Sequence, residues 1–230
     1  MYKNKDKYIS LSPIETFLND PAFEYATLSP EQRECLEGDI TLNELSAALD
    51  KANLASAPGS TGLSFSFYKH FWPYLGVPVL NSANYSFKVM SLPIQQRLGV
   101  ISVIPKGDKP REFLKNWRPI TLLNSTYKLI SSSIAARINK FLPDIIGSDQ
   151  NGFVRGRSMG ECLRLTYDVL SWAKHNNKSG LLLSIDFEKA FDSVSFSFIS
   201  KTLKFFNFGP DIVKWVELLL NNFKASQCGI

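Results

Sequence analysis

Two aspartates six positions apart, Asp186 and Asp192, punctuate the stretch LLLSIDFEKAFDSV at residues 181–194. A carboxylate at the end of an apolar run needs a reason, because a buried charge is costly unless it is paired or holds a metal. If 181–187 is a strand, Leu181, Leu183, Ile185 and Phe187 form a core face and Leu182, Ser184 and Asp186 the other. Asp186 then stands at the strand's C-terminal end, where α/β folds tend to place active sites. A strand-end Asp is a natural ligand for Mg2+, which takes one or two protein carboxylates and leaves its other positions to water and phosphate. A cap on the turn or helix that follows explains the same residue, and spacing leaves both readings open.

Cations gather in two further stretches. Residues 97–118 hold Arg97, Lys106, Lys109, Arg111, Lys115 and Arg118 against Asp108 and Glu112, a local balance of +4. Residues 150–157, QNGFVRGR, form a glycine-punctuated basic loop whose Arg155 and Arg157 suit phosphates without reading sequence. Taken alone, either is equally a solvated basic loop. The charge of the whole chain is uneven: residues 1–60 carry 5 Lys/Arg and 10 Asp/Glu, whereas residues 61–230 carry 21 and 11. A polyanion is the partner expected for that later part.

Alternating secondary structure must position these groups. Residues 1–40, with Pro13, Pro21, Pro30 and Gly38, read as an irregular lead-in. Thr41-Leu-Asn-Glu44 is a capping box for a helix whose face is Leu42, Leu45, Ala48 and Leu49. The loop ASAPGSTG (55–62) precedes a short aromatic helix over 64–75, expected to stop near Pro73. Residues 100–104 are a β-branched strand ending in the turn PKGDKP. Tyr127, Ile130, Ile134, Ile138 and Phe141 mark the next helix, and Cys162, Thr166, Val169, Leu170 and Ala173 the one after the basic loop. The turn NNKSG precedes the 181–187 strand, and two helices, about 195–206 and 211–222, meet at Gly209-Pro210.

Composition excludes several classes. With 44% hydrophobic and 20% charged residues, 230 positions suffice for a packed core and argue against disorder. No apolar run reaches membrane-span length, so no membrane partner is expected, and MYKNKDKYIS lacks a signal-peptide core. Cys35, Cys162 and Cys228 suggest neither disulfides nor zinc, so an intracellular setting is expected, with no choice between nucleus and cytoplasm. His70 and His175 have no neighbouring ligand pattern, which argues against an unrelated metal-dependent nuclease.

Five blocks in order, APGSTGLSFSFYKHFW, VISVIPKGDKP, NWRPITLLNSTYKLISSSIAARI, DQNGFVRGRS and LLLSIDFEKAFDSV, resemble the reverse transcriptases of LINE-type (non-LTR) retrotransposons. The resemblance implies an α+β fold, the fingers and palm of a right-hand polymerase, truncated before the second catalytic motif. A partial reverse transcriptase domain over 41–230 would follow the 1–40 lead-in, with fingers over about 41–175 and the start of the palm over about 176–230. It also implies RNA-directed DNA polymerisation with template RNA, a DNA primer and dNTP as partners, and two Mg2+ ions in the complete site. Asp186 would bind both ions and the Phe187 carbonyl the nucleotide-side one. Lys106 and Arg118 would clamp the triphosphate, and Phe191 would exclude a ribose 2′-hydroxyl. Gln150, Arg155 and Arg157 would lie around the template and nascent base pair. Asp192 would be structural, capping the helix that starts near Ser195 or bonding to nearby backbone.

Two departures qualify that implication. Where the family usually reads Lys-Ala-Pro-Gly-x-Asp-Gly, this chain has Ser56 and Thr61 at the Lys and Asp positions. After Asp192 the only acids are Asp211 and Glu217, and no aromatic-x-Asp-Asp motif follows. The polypeptide by itself is therefore expected to be inactive as a polymerase. The alternative is a non-catalytic RNA-binding fragment or decayed retroelement remnant. These residues fix no oligomeric state.

Overall fold

The computed structural model describes residues 11–18, 20, 25–187, 190–221 and 224–227. In chain order the elements are α1 (Leu11–Leu18), α2 (Pro30–Glu34), α3 (Leu42–Asp50), α4 (Phe65–Val89) and α5 (Ile94–Arg97), then β1 (Leu98–Pro105), a 3-10 turn and β2 (Trp117–Leu123). There follow α6 (Ser125–Asn139), α7 (Leu142–Ile145), α8 (Met159–His175), α9 (Ala190–Ser193), α10 (Phe196–Phe205), α11 (Pro210–Asn221) and β3 (Lys224–Gln227). The mixed helix and sheet content agrees with the α+β expectation. Two compact units emerge, each from two segments: 1–35 with 137–209, and 36–136 with 210–230. Among the described residues no helix is long and apolar enough to cross a membrane.

The second unit holds the sheet, ordered β2-β1-β3. β1 and β2 are antiparallel, with Val103 opposite Pro119, Ile104 opposite Arg118 and Pro105 opposite Trp117. Pro119 is tolerated because β2 is an edge strand, where a missing N–H removes no ladder bond from the sheet's centre. β3 joins β1 in parallel, Leu98 opposite Lys224. Thr41 caps α3 as its sequence demands: its hydroxyl accepts from Glu44 N, while the Glu44 carboxylate accepts from Thr41 N at 2.8 Å. Leu45 and Leu49 on α3, Val79, Ala83 and Phe87 on α4, and Ile130 and Ile134 on α6 supply core.

The helix expected to stop near Pro73 instead runs for 25 residues, through both Pro73 and Pro78. Proline strips a helix of one N–H and strains the carbonyl four residues earlier. Here those carbonyls belong to Lys69 and Tyr74, on the exposed side, where water can satisfy them. The opposite side buries Phe65, Tyr68, Gly76, Val79, Ala83 and Phe87, which outweighs the local penalty. Gly76 admits α3: a β-carbon there would stand 3.0 Å from Leu42 Cδ1 and 3.2 Å from Trp72 Cε2.

α11 is fixed at its start and along its face. Glu37 accepts from the amides of Asp211 (2.9 Å) and Ile212 (3.2 Å), a carboxylate at the positive end of the helix. Trp215 is fully buried and stacks on Phe87 with ring centres 4.4 Å apart.

In the first unit the described part of the lead-in is ordered around α10. Ser29 and Gln32 form a capping box for α2. Leu28 N donates to Phe206 O at 3.1 Å, and Asn207 Nδ2 donates to Leu28 O at 2.7 Å. The rings of Phe205 and Phe206 both meet Tyr25 edge-on. α10 is capped by Ser195, whose hydroxyl accepts from Phe198 N at 3.2 Å. Asp192 lies in the short helix α9, its side chain outside the described residues.

The largest correction concerns 181–187. The segment forms no strand, and the face expected to be core is exposed, Leu181 at 92% and Ile185 at 70%. A strand is held by ladder bonds to a neighbour, and an apolar alternating run cannot bury itself without one. Among the described residues the sheet consists of β2, β1 and β3, and 181–187 is not among its strands. α8 has the predicted extent, yet none of its side chains is buried.

Candidate nucleotide and nucleic-acid site

The hairpin between β1 and β2 is organised by its own polar groups. Lys106 N donates to Asn116 O at 2.7 Å, closing the turn, and Gly107 takes a left-handed φ of 57° there. Asn116 Nδ2 donates to Pro110 O, and Trp117 Nε1 to Arg111 O, at 2.7 and 2.8 Å. Lys109, Arg111, Lys115 and Arg118 are consequently displayed to solvent. Arg118 lies opposite Ile104 in the ladder, and Lys106 is the first residue past β1, its N–H still bonded across the hairpin to Asn116 O. The Lys106 ammonium donates to Lys115 O at 2.7 Å, leaving further donors for an anion. Both predicted phosphate ligands thus belong to one hairpin, Arg with a planar fork and Lys with a compact charge.

The 56–62 loop is pinned to this unit from the start of α6. Asn124 is 1% exposed. Its Oδ1 accepts from Thr61 N (3.1 Å), Thr61 Oγ1 (3.2 Å) and Ser60 Oγ (3.4 Å). Its Nδ2 donates to Gln95 O, and to Leu98 O at 3.4 Å. One turn on, the Lys128 ammonium donates to Ala57 O at 3.0 Å and reaches Ser56 Oγ at 3.5 Å. It also stands 5.6 Å from the centre of the Phe65 ring. Burial lowers the pKa of this lysine from its ordinary value. A cation therefore does meet the Ser56 position, delivered from α6 rather than by the loop itself.

In the other unit, the 150–157 loop is built around Arg157. Its guanidinium donates to the carbonyls of Gly147, Gln150 (2.8 Å), Pro143 (3.1 Å) and Ile146 (2.8 Å). Four donors spent on loop carbonyls make Arg157 an internal clamp, which differs from the template contact expected of it. Arg155 remains exposed, and Gln150 folds back on Gly152 O at 2.9 Å. Phe153 adopts φ 63°, a conformation that costs a bulky residue about 1–3 kcal/mol. Its ring, 87% exposed, meets that of Phe191 edge-on at 5.7 Å.

Asp186 and Phe187 are exposed in the unpaired segment. One carboxylate and one neighbouring carbonyl suit a single hydrated Mg2+. Among the described residues no three His, Cys, Asp or Glu side chains converge on one point.

Residues 104–229, more than half of the chain, match the family of reverse transcriptases (RNA-dependent DNA polymerases). The chain belongs to the reverse transcriptase family. Its relatives include a Xenopus laevis protein described as the transposon TX1 uncharacterized 149 kDa protein, 35% identical over 87% of this chain and 15% of that one. A probable RNA-directed DNA polymerase from transposon BS of Drosophila melanogaster is 35% identical over 54% of this chain and 14% of its own length. The Pol polyprotein of the type-1 retrotransposable element R2 of Popillia japonica is 32% identical over 45% and 14%. These are non-LTR elements, in agreement with the five blocks. The chain spans about one seventh of the length of these relatives.

Three residues of this reverse transcriptase chain were not found by sequence reasoning. Asn124 and Lys128 lie outside the 3–4 spacing that marks α6, and their partners are 63 and 71 residues away. Phe153 was hidden inside a loop whose glycines drew attention to backbone freedom, although the unusual backbone falls on the phenylalanine as well.

Proposed function

We propose that this chain provides the fingers and the opening part of the palm of a non-LTR RNA-directed DNA polymerase, handling template RNA, a DNA primer and dNTP. Lys106 and Arg118 grip the triphosphate, and their placement on one hairpin whose turn is internally satisfied, Arg118 in β2 and Lys106 directly after β1, is the observation that carries the reading. Positive charge held there stabilises the transferring phosphoryl group more in the transition state than before it. Asp186 and the Phe187 carbonyl are the oxygen donors for Mg2+, which when bound would activate the primer 3′-hydroxyl and shield the leaving pyrophosphate. Phe191 faces the sugar, and Gln150 and Arg155 lie along the template.

The 230-residue polypeptide is expected to bind triphosphate without extending a primer, since Asp186 alone offers too few carboxylates for two ions. Displacement of a fluorescent nucleotide by dNTP tests the grip. Lys106→Ala and Arg118→Ala should each weaken binding by about tenfold, the scale of a charge-assisted hydrogen bond. Triphosphate binding that is unchanged in both variants would refute the assignment. Primer extension by the pure chain, lost in Asp186→Ala, would refute its inactivity.

A further inference from the structure

The side chain of Asn124 is committed in a way that helix capping does not explain. An asparagine just ahead of a helix ordinarily turns its side chain back onto the helix's first amides. Asn124 precedes α6, and its carbonyl accepts from Lys128 N at 3.1 Å, yet its carboxamide serves other segments. Oδ1 receives the Thr61 and Ser60 donors of the 56–62 loop. Nδ2 donates to Ser60 Oγ at 3.1 Å, to Leu98 O at 3.4 Å and to Gln95 O at the end of α5. At this depth of burial each lost partner is left without a substitute. A carboxamide supplies acceptors and donors together, whereas a carboxylate has acceptors alone.

These bonds sit at the root of the hairpin that carries Lys106 and Arg118. Its outermost ladder pair is Gly99 with Leu123, and Leu98 and Asn124 are the next residues outward. The Nδ2–Leu98 bond therefore closes the open end of the hairpin one step past the backbone ladder. β1 is held on its other side by β3, but among the described residues β2 pairs with β1 alone. The end of β2 is thus anchored by Asn124 and by Ser125 Oγ, which donates to Leu63 O at 2.6 Å. Lys106 stands at the opposite end, seven residues from Gly99 and so about 23 Å away along the strand. Over that length a tilt of about 5° at the root carries the cations about 2 Å.

We infer that Asn124 is a positioning residue for the triphosphate grip: its carboxamide ties the root of the β1–β2 hairpin to the 56–62 loop and α5, and so sets where Lys106 and Arg118 stand. It acts through the hairpin and touches no nucleotide itself. The inference rests on the triphosphate reading of that hairpin. Its signature is dependence on the donor hydrogens of Nδ2 rather than on packing.

Nucleotide displacement by dNTP and amide hydrogen exchange test it on the full chain. Asn124→Asp keeps the shape but sets an oxygen against the Gln95 and Leu98 carbonyls. Burial raises the pKa of such a carboxyl, and once protonated it offers one O–H donor again. Affinity relative to the wild type should be at least about tenfold lower at mildly alkaline pH and recover as pH falls through the carboxyl's range. The charged groups on the joined elements, Arg97, Arg118 and Lys128, stay cationic on both sides of that range. Asn124→Ala, with no donor at any pH, should lose as much without recovery. Tyr127→Phe, which gives up a bond to Leu219 O elsewhere in the unit, should bind as the wild type does. In Asn124→Ala, exchange at amides 98–101 and 121–124 should quicken at least about tenfold while Lys106 N stays protected by its own turn. Full affinity in Asn124→Ala, an equal loss in Tyr127→Phe, or no recovery of Asn124→Asp at acid pH would overturn the positioning role. A wild type that binds no triphosphate would sink the grip itself. Exchange at the hairpin root then decides separately, and rates equal to the wild type's would overturn the hold of Asn124 on the hairpin.

Discussion

Replacing Gly59 by alanine should loosen the loop that α6 holds in place, and its cost can be worked from the geometry. A β-carbon at Gly59 would collide with Asn124 Oδ1 and come within 2.5 Å of Asn124 N and 2.6 Å of Leu123 C. Two of those three atoms are backbone at the junction of β2 and α6, so no flexible side chain can swing aside. Overpacking of this kind costs about 1–3 kcal/mol. If the loop retreats to relieve it, Thr61 loses the bonds of its amide and hydroxyl to Asn124, each worth about 1 kcal/mol. The sum lies at about 3–5 kcal/mol, and at about 2–4 °C per kcal/mol for a chain of this size the melting temperature should fall by about 6–20 °C. Tryptophan fluorescence suits the measurement, because Trp72, Trp117 and Trp215 lie in the unit that contains the loop and only Trp172 lies in the other. Gly62→Ala is the contrast: Gly62 has φ 71° and nothing within 4 Å, so it incurs only the left-handed backbone penalty, about 1 kcal/mol. A Gly59→Ala chain that melts with the wild type, or a Gly62→Ala chain that melts lower than Gly59→Ala, would refute the close approach.

Two further predictions concern buried and clamped groups. Burial raises the phenol pKa values of Tyr127 and Tyr68 above the ordinary 10.0, so the folded chain keeps protons that the unfolded chain releases. Stability should be undiminished by these groups below that value and fall as pH rises through it. The lowered pKa of Lys128 acts with the opposite sign, because the unfolded chain then holds the extra proton. Tyr127→Phe should cost about 1 kcal/mol near neutral pH, through the lost bond to Leu219 O, and should lessen the alkaline loss in a urea titration followed against pH. An alkaline slope unchanged by the substitution would count against the burial argument. Arg157→Lys should free the 143–150 carbonyls, because one ammonium cannot span four acceptors, and should speed proteolysis in that loop severalfold. Equal cleavage rates would remove the clamp.

By itself the sequence determined whatever depends on near neighbours. The capping box of Thr41 and Glu44 works at three residues' distance, the β-branched run became β1, and the 3–4 spacing of Tyr127, Ile130 and Ile134 became the buried face of α6. The order of the five blocks identified the family, because order along a chain is itself a sequence property. Contacts between distant residues were decided only by the tertiary structure. α4 continues through two prolines because its inner face is buried against other helices, a gain invisible in a local window. Glu37 holds the start of α11 across 174 residues, and Asn124 gathers a loop, a helix end and a strand end. The stretch 181–187 shows the same limit from the other side. Its alternation promised a strand, but alternation specifies only which side chains share a face. Whether that face is covered depends on a neighbouring strand to complete the ladder, which no residue within 181–187 can supply.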